Sequence, residues 1–308
     1  MGKIAFIFPG QGAQYIGMGK DFYDEFEAAK EVFECASQVL DMDMKQLIFE
    51  ENDKLNQTEY TQPAMVTTCM AMLSQIKELG YTPDFYAGLS LGEYGALIGS
   101  EILTLKDTLL IVRQRGILME QAVPAGVGAM LAVLGLDKDV IESVCDQVQG
   151  TVSIANYNCP GQIVITGEKK AVEAAAQGLI EQGAKRVLPL NVSGPFHSFM
   201  LKEAGDSLYE ILDKATIHPP KTGYISNVTA NLVTVPEQIK ELLAKQVYSP
   251  VRFWQCVDTM IEQGVDTFVE IGPGKTLSGF IKKIDKSLKV INIEKVCDLE
   301  KLKEVMPC

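Results

Sequence analysis

The sequence is poor in histidine and in basic side chains. Only two histidines occur, and 28 lysine and arginine residues face 40 aspartate and glutamate residues, which gives a formal net charge of −12. A surface of this sign repels phosphate backbones, so we expect no nucleic-acid partner. No apolar run approaches the roughly 20 residues that cross a bilayer, so we expect no membrane insertion. The composition indicates a globular protein whose two histidines can be compared directly.

The seven cysteines form no metal-binding or disulfide pattern. They are scattered over 308 residues without a C-x-x-C pair, and their number is odd. Neither a zinc site nor a disulfide framework fits this arrangement. We therefore expect a protein of the reducing cytoplasm that holds no metal ion.

Short apolar runs alternate with helical patterns along most of the chain. The segments 3–8 (KIAFIF), 84–90 (DFYAGLS) and 267–272 (TFVEIG) are typical of buried strands, and the segment 93–99 (EYGALIG) is typical of the start of a helix. This alternation indicates an α/β protein with a mainly parallel sheet.

The middle of the chain follows a different pattern. Between 127 and 193 the apolar periodicity predicts strand, helix, strand, strand, helix and strand. That order is the ferredoxin-like βαββαβ unit. We therefore predict a small ferredoxin-like subdomain at 127–193, inserted into a large catalytic domain that comprises 1–126 and 194–308. The cleft between the two is the expected binding site.

The segment GLSLG places Ser90 between two glycines at the spacing G-x-S-x-G, where a predicted strand gives way to a helix. Small residues on both sides let the chain turn sharply and lift the hydroxyl out of the sheet. The backbone N–H of Leu91 then points toward a developing oxyanion, helped by the helix dipole. Glycine–serine turns are also common at strand ends, so the pattern alone leaves a nucleophile and a plain turn both open.

A serine nucleophile needs a general base, and the sequence offers two histidines. His197 lies in NVSGPFHSFM, among turn-forming and aromatic residues just after the last strand of the predicted subdomain. His218 precedes two prolines in ATIHPP, which is typical of a surface segment or of the start of a strand. We therefore predict that His197 is the base.

Seven segments resemble one enzyme family in order and over nearly the whole chain. They are FPGQGAQ, GLSLGE, RQRG, ANYNCPGQIVITG, GPFHS, QVYSP and EIGPGKTL. Together they are similar to the malonyl-CoA:acyl carrier protein transacylases. The resemblance implies a large α/β-hydrolase-like domain with the small subdomain, and a monomer without a cofactor. It further implies ping-pong transfer of malonyl from malonyl-CoA, through a malonyl-serine, to the phosphopantetheine thiol of acyl carrier protein in fatty-acid synthesis.

The resemblance also implies roles for individual residues. Ser90 matches the acylated nucleophile of the family and His197 matches its general base. Gln246 matches the residue whose backbone carbonyl orients the histidine, so no triad acid is needed. The N–H groups of Gln11 and Leu91 match the oxyanion hole.

The family motif assigns the free malonyl carboxylate to Arg115, although periodicity alone does not choose between Arg113 and Arg115. A guanidinium binds a carboxylate through two parallel hydrogen bonds. Phe196 matches the bulky residue associated with malonyl rather than branched acyl groups. Gln62 and Asn158 match residues that line the site, whereas the local sequence indicates a helix cap for Gln62 and a turn for Asn158.

Two further features concern the surroundings of the site. Leu89 stands where many family members carry histidine, and we interpret it as a packing variant. Lys185, Arg186 and Lys202 flank the exit of the predicted subdomain. We expect these three cations to face the acidic carrier protein, because opposite potentials steer association.

Three alternatives stay open at this point. A discrete acyltransferase that serves a polyketide synthase shares every motif. An α/β-hydrolase-type serine esterase also uses G-x-S-x-G, but it needs an Asp or Glu between serine and histidine and has no use for Arg115. A catalytically silent carrier-binding module needs neither the serine nor the arginine.

Overall fold

The described strands form two separate sheets in the computed structural model, which covers residues 2–124 and 126–306. The strands are β1 (Lys3–Phe8), β2 (Phe85–Gly88), β3 (Gly128–Leu134), β4 (Val152–Cys159), β5 (Gln162–Glu168), β6 (Arg186–Pro189), β7 (Gly223–Tyr224), β8 (Val265–Ile271) and β9 (Lys289–Ile293). The helices are α1 (Lys20–Glu25), α2 (Glu27–Leu40), α3 (Met44–Phe49), α4 (Thr58–Glu78), α5 (Gly92–Gly99), α6 (Leu105–Gln121), α7 (Lys138–Gln147), α8 (Lys169–Glu181), α9 (Lys202–Asp213), α10 (Ile239–Gln246), α11 (Phe253–Glu262), α12 (Thr276–Ile284) and α13 (Glu300–Val305). Short 3-10 helices lie at Phe199–Leu201, Pro236–Gln238 and Val296–Leu299.

The larger sheet has the order β7-β2-β1-β8-β9, and all its strand pairs are parallel. Successive residues of β1 face opposite apolar clusters, with Phe6 and Phe8 in one and Ala5 and Ile7 in the other. Because helices cover both faces, the strand is apolar throughout instead of alternating with polar residues. The predicted mainly parallel α/β architecture is confirmed.

The smaller sheet has the order β4-β5-β3-β6, and its strand pairs are antiparallel. Helices α7 and α8 bury Ile141 and Leu179 against it. The predicted order of strand, helix, strand, strand, helix and strand is confirmed. These elements occupy 128–189, inside the segment 127–193, and the boundaries of the two domains stay a prediction.

Strand β4 joins the smaller sheet to the part of the protein that is built around the larger sheet, here called the larger body. The N–H of Tyr157 donates to the carbonyl of Val251 at 2.9 Å, and the N–H of Val251 donates to the carbonyl of Ala155 at 2.8 Å. The register of β4 shifts on both sides of Tyr157. These contacts hold the second half of β4 against the larger body.

Two local expectations were wrong. Asn158 lies inside β4 and not in a turn, because the turn begins only after the strand ends at Cys159. Gln62 lies inside α4 and not at its cap, because the helix begins at Thr58, more than a turn before Pro63. Proline usually marks the first turn of a helix, so it indicated a later start. In the described ranges, no helix is long and apolar enough to cross a membrane.

Candidate active site

Ser90 occupies a tight elbow between β2 and α5. Its φ is +53°, in the left-handed region that non-glycine residues rarely adopt. A Cβ on Gly88 would lie 2.0 Å from the carbonyl carbon of Gly92, and a Cβ on Gly92 would lie 2.1 Å from the carbonyl oxygen of Phe8. Both glycines of the motif are therefore required by close backbone contacts. A non-glycine residue held in this strained conformation is typical of functional sites.

His197 is hydrogen-bonded to the serine. Its Nε2 lies 2.7 Å from Ser90 Oγ, and its Nδ1 lies 2.7 Å from the backbone carbonyl of Gln246. A carbonyl only accepts hydrogen bonds, so the ring proton belongs on Nδ1 and Nε2 is free to accept from the hydroxyl. The carbonyl thus occupies the position that an Asp or Glu has in an esterase triad.

The buried environment keeps this histidine neutral. Burial, together with the charge of Arg115, lowers the pKa of His197 to about 3. The neutral imidazole can accept a proton, whereas the imidazolium cannot. The ring is therefore in the form that a general base requires.

Arg115 is buried beside the nucleophile and is only 1% exposed. Its Nη1 donates to Gln62 Oε1 at 2.9 Å, and its Nη2 donates to Gln246 Oε1 at 2.8 Å and to Ser90 Oγ at 3.2 Å. The guanidinium also lies over the ring of Tyr94, 5.6 Å from its centroid. The Nε has no partner among the described residues. Burial lowers the pKa of Arg115, and a buried cation with a spare donor can bind an anion.

The other arginine of the same helix points elsewhere. The Nη1 of Arg113 donates to the carbonyl of Leu40 at 3.0 Å, at the end of α2. Residues two apart on an α-helix are about 200° apart around its axis, so Arg113 and Arg115 lie on nearly opposite faces. The structure therefore brings Arg115 to the serine and leaves Arg113 outside the site.

Two backbone N–H groups lie near the elbow without a hydrogen-bond acceptor. Leu91 precedes the first turn of α5, and Gln11 follows Gly10, whose added Cβ would lie 2.6 Å from the carbonyl oxygen of Leu89. In the described part of the chain, neither the N–H of Leu91 nor that of Gln11 donates to a protein atom. The side chain of Gln11 donates to Thr58 Oγ1 at 3.4 Å. Both N–H groups are available to a bound oxygen.

The remaining predicted lining residues are buried. Phe196 precedes the histidine and belongs to the main apolar cluster. Asn158 is buried and its Oδ1 has no partner among the described residues. Gln62 holds Arg115 through its oxygen while its Nε2 contacts the sulfur of Met119 at 3.7 Å. Leu89 packs against the second apolar cluster, which accords with a packing variant.

The second histidine and the three predicted docking cations lie on the surface. His218 is exposed, and its backbone N–H donates to Ile102. Lys185 and Arg186 are exposed, the first just before β6 and the second at its start. Lys202 is half-buried and forms an ion pair with Asp206 at 2.6 Å.

Sequence reasoning missed two buried polar residues that hold the elbow. Asn227 Oδ1 accepts the N–H of Ser90 at 2.7 Å, and Asn227 Nδ2 donates to the carbonyl of Gly88 at 2.7 Å. Glu93, in the first turn of α5, accepts from Tyr224 and from the backbone of Asn227. In the sequence, Glu93 is the acid at the end of GLSLGE, whereas Asn227 is only the second of two polar residues that end YISN.

The family profile described as acyl transferase domain matches residues 5–301. The malonyl CoA-acyl carrier protein transacylase of Bacillus subtilis (strain 168) is 50% identical over 297 residues, which cover 95% of this chain and 94% of that relative. The chain belongs to the malonyl CoA-acyl carrier protein transacylase family. It is therefore an acyltransferase, and the resemblance seen in the seven segments is confirmed.

Two solved structures show how far the likeness to this transacylase family extends. The malonyl CoA-acyl carrier protein transacylase from Clostridium perfringens is 45% identical with a TM-score of 0.96, and the match covers 99% of this chain and 97% of that one. A malonyl-transacylase in complex with a type II PKS acyl-carrier protein is 39% identical with a TM-score of 0.96, and the match covers 98% of this chain and 99% of that one. The transacylase fold is thus shared over at least 98% of the chain.

Proposed function

We propose that this chain transfers the malonyl group of malonyl-CoA to the phosphopantetheine thiol of acyl carrier protein, with Ser90 as the nucleophile. One observation carries the proposal. Ser90 Oγ lies 2.7 Å from the base His197 and 3.2 Å from the buried cation Arg115. A base beside the hydroxyl supports acyl transfer, and a cation beside the same oxygen selects an acyl group that carries a free carboxylate.

The first half-reaction makes the malonyl-serine. Ser90 Oγ attacks the thioester carbonyl of malonyl-CoA while His197 Nε2 takes the hydroxyl proton, and the Nδ1–H bond to the carbonyl of Gln246 stabilises the imidazolium. The N–H groups of Leu91 and Gln11 bind the oxyanion. Collapse of the tetrahedral intermediate breaks the carbon–sulfur bond, and His197 returns the proton to the departing CoA thiolate.

The second half-reaction repeats these steps in reverse with a new thiol. His197 takes the proton of the carrier's phosphopantetheine thiol, and the thiolate attacks the malonyl-serine ester. The new thioester forms as the bond to Ser90 Oγ breaks, and the proton returns to that oxygen. Because CoA leaves before the carrier reacts, the kinetics are ping-pong.

Arg115 selects the substrate in this proposal. The malonyl carboxylate accepts two charge-assisted hydrogen bonds from the guanidinium and replaces the weaker contact with the serine oxygen. Phe196 and Asn158 bound the acyl pocket, and Gln62 supports the guanidinium from the opposite side. An acetyl group offers no anion, so it leaves the buried cation without its partner.

The proposed reaction needs only side chains and backbone groups of one chain. Proton transfer and oxyanion binding account for every step, so we propose a monomer that works without a cofactor. Dialysis against a chelator should leave the activity unchanged, and light scattering should give the mass of a single chain.

The six described cysteines are free thiols, which supports a location in the reducing cytoplasm. Cell fractionation tests that location.

The identity of the carrier is the finer part of the proposal. We propose the carrier of fatty-acid synthesis, which is the carrier that the family resemblance implies, and the relatives from Bacillus subtilis and Clostridium perfringens are named as transacylases of an acyl carrier protein. The complex with a type II PKS carrier protein favours the polyketide carrier as the second candidate. Comparing kcat/KM for the two purified holo carriers from one organism distinguishes them.

The nucleophile is tested by intact-mass spectrometry. Malonyl-CoA alone should add one malonyl group to the protein, and peptide mapping should place it on Ser90. Ser90→Ala should show no added mass, because no other described hydroxyl is hydrogen-bonded to a histidine. Equal labelling of wild type and Ser90→Ala would overturn the assignment.

A further inference from the structure

A buried carboxylate lies one turn after the nucleophile and takes no part in the steps above. Glu93 is 0% exposed. Its Oε1 accepts from the hydroxyl of Tyr224 and from the backbone N–H of Asn227 at 3.2 Å. Its Oε2 accepts from Gln246 Nε2 at 2.5 Å. A buried carboxylate is costly unless its oxygens are paired, and here both oxygens have donors.

The amide of Gln246 has one orientation that satisfies all its neighbours. Its two N–H groups are used by Glu93 Oε2 and by the carbonyl of Ser90, which lies 2.9 Å away. Its Oε1 is thereby turned to Arg115 Nη2 at 2.8 Å. The reversed amide would set its oxygen against two acceptors and its N–H groups against a guanidinium, which has no acceptor. The orientation is therefore determined by the groups around it.

We propose that Glu93 is a positioning residue that sets the preference for malonyl over uncharged acyl groups, because it holds the Gln246 amide with its oxygen toward Arg115. The guanidinium is thus kept in place for the substrate carboxylate. This inference rests on the proposed function, since it concerns the same malonyl site. In this proposal Glu93 itself does not contact the substrate.

An amide at position 93 cannot replace the carboxylate. The backbone N–H of Asn227 requires an acceptor at the Oε1 position, and no side-chain substitution removes that N–H. In Glu93→Gln the oxygen therefore stays there, and the new NH2 group faces Gln246 Nε2. Two donors then meet in place of a 2.5 Å hydrogen bond. Either the Gln246 amide reverses or the two side chains separate, and both outcomes change the support of Arg115.

The test measures KM and kcat for malonyl-CoA and acetyl-CoA in wild type and Glu93→Gln. The proposal expects the KM for malonyl-CoA to rise about tenfold, the scale of one hydrogen bond to a charged group. It expects kcat with malonyl-CoA and both constants for acetyl-CoA to change less than about threefold, because the backbone carbonyl that orients His197 is untouched. The malonyl-to-acetyl ratio of kcat/KM then falls.

Two variants separate positioning from a general loss of stability. Tyr224→Phe removes the other side-chain donor to Glu93 and leaves the contact with Gln246, so it should keep the malonyl-to-acetyl ratio. Glu270→Gln alters a second buried carboxylate, which binds only the start of α12 through Leu277 and Ser278. Glu270→Gln should lower Tm without changing the ratio. If Glu93→Gln does not fold, Glu93→Asp, which retracts the carboxylate by one methylene, must show the fall in its place.

The outcomes decide the inference separately from the proposed function. A wild-type protein that transfers no malonyl group would refute the proposed function itself. A wild-type protein with strong malonyl preference, together with an unchanged ratio in Glu93→Gln, would overturn only the role of Glu93. An increased ratio would overturn it too, because it would show Glu93 acting as an anion that competes with malonyl for Arg115. Equal losses for both substrates would indicate a structural role and count against the inference.

Discussion

Replacing Arg115 by alanine should change which acyl group the protein transfers. Malonyl transfer loses two charge-assisted hydrogen bonds, each worth about 1.5–3 kcal/mol. The sum of about 3–6 kcal/mol corresponds to a fall in kcat/KM for malonyl-CoA of at least about a hundredfold. Acetyl transfer gains no bond from the guanidinium in the wild type. It should hold steady or rise, because the variant no longer leaves a buried cation unpaired beside an acetyl group.

The assay compares kcat/KM for malonyl-CoA and acetyl-CoA in wild type, Arg115→Ala and Arg115→Lys. Lysine restores a charge but not the two-bond geometry, so it should recover only part of the preference. Arg113→Ala is the matched control, because it removes an arginine from the same helix whose hydrogen bond goes to Leu40. It should leave the malonyl-to-acetyl ratio unchanged. An unchanged ratio in Arg115→Ala would refute the assignment of the carboxylate to this residue.

Three further predictions concern the base and the carrier. His197→Ala should slow acylation and deacylation by about a hundredfold or more in stopped-flow experiments. The matched variant His218→Ala should change these two rates little. The reverse result would show that the wrong histidine was chosen. Because the lowered pKa of His197 is about 3, the neutral base is present above that pH. The acylation rate should therefore stay constant when the pH is lowered through 6.5. An inflection of the rate near pH 6.5 would contradict the buried neutral ring. Charge reversal at Lys185, Arg186 and Lys202 should raise the KM for carrier protein and leave that for malonyl-CoA unchanged, and an equal change in both would count against a docking surface there.

Much of the fold could be predicted because its signals are local. Strand β1 is a continuous apolar run, because both faces of its parallel sheet are covered. The elbow at Ser90 needs glycine on both sides, because a Cβ at either position would meet backbone atoms, and the G-x-S-x-G motif shows both glycines directly. The order of elements between β3 and β6 follows from periodicity alone. The predictions for Gln62 and Asn158 were wrong: Pro63 indicated a helix cap at Gln62, which lies inside α4, and the local sequence indicated a turn at Asn158, which lies inside β4.

By itself the sequence indicated Ser90 as the candidate nucleophile, His197 as the candidate base and the family, since these depend on short motifs and on how few candidates exist. Only the tertiary structure decided which groups meet. Ser90 and His197 are 107 positions apart, and Glu93 and Gln246 are 153 positions apart, so no local pattern links them. The same holds for the carbonyl of Gln246 on the histidine ring. Such contacts are determined by how the helices and strands pack, because buried charges and amides must find partners wherever folding brings them.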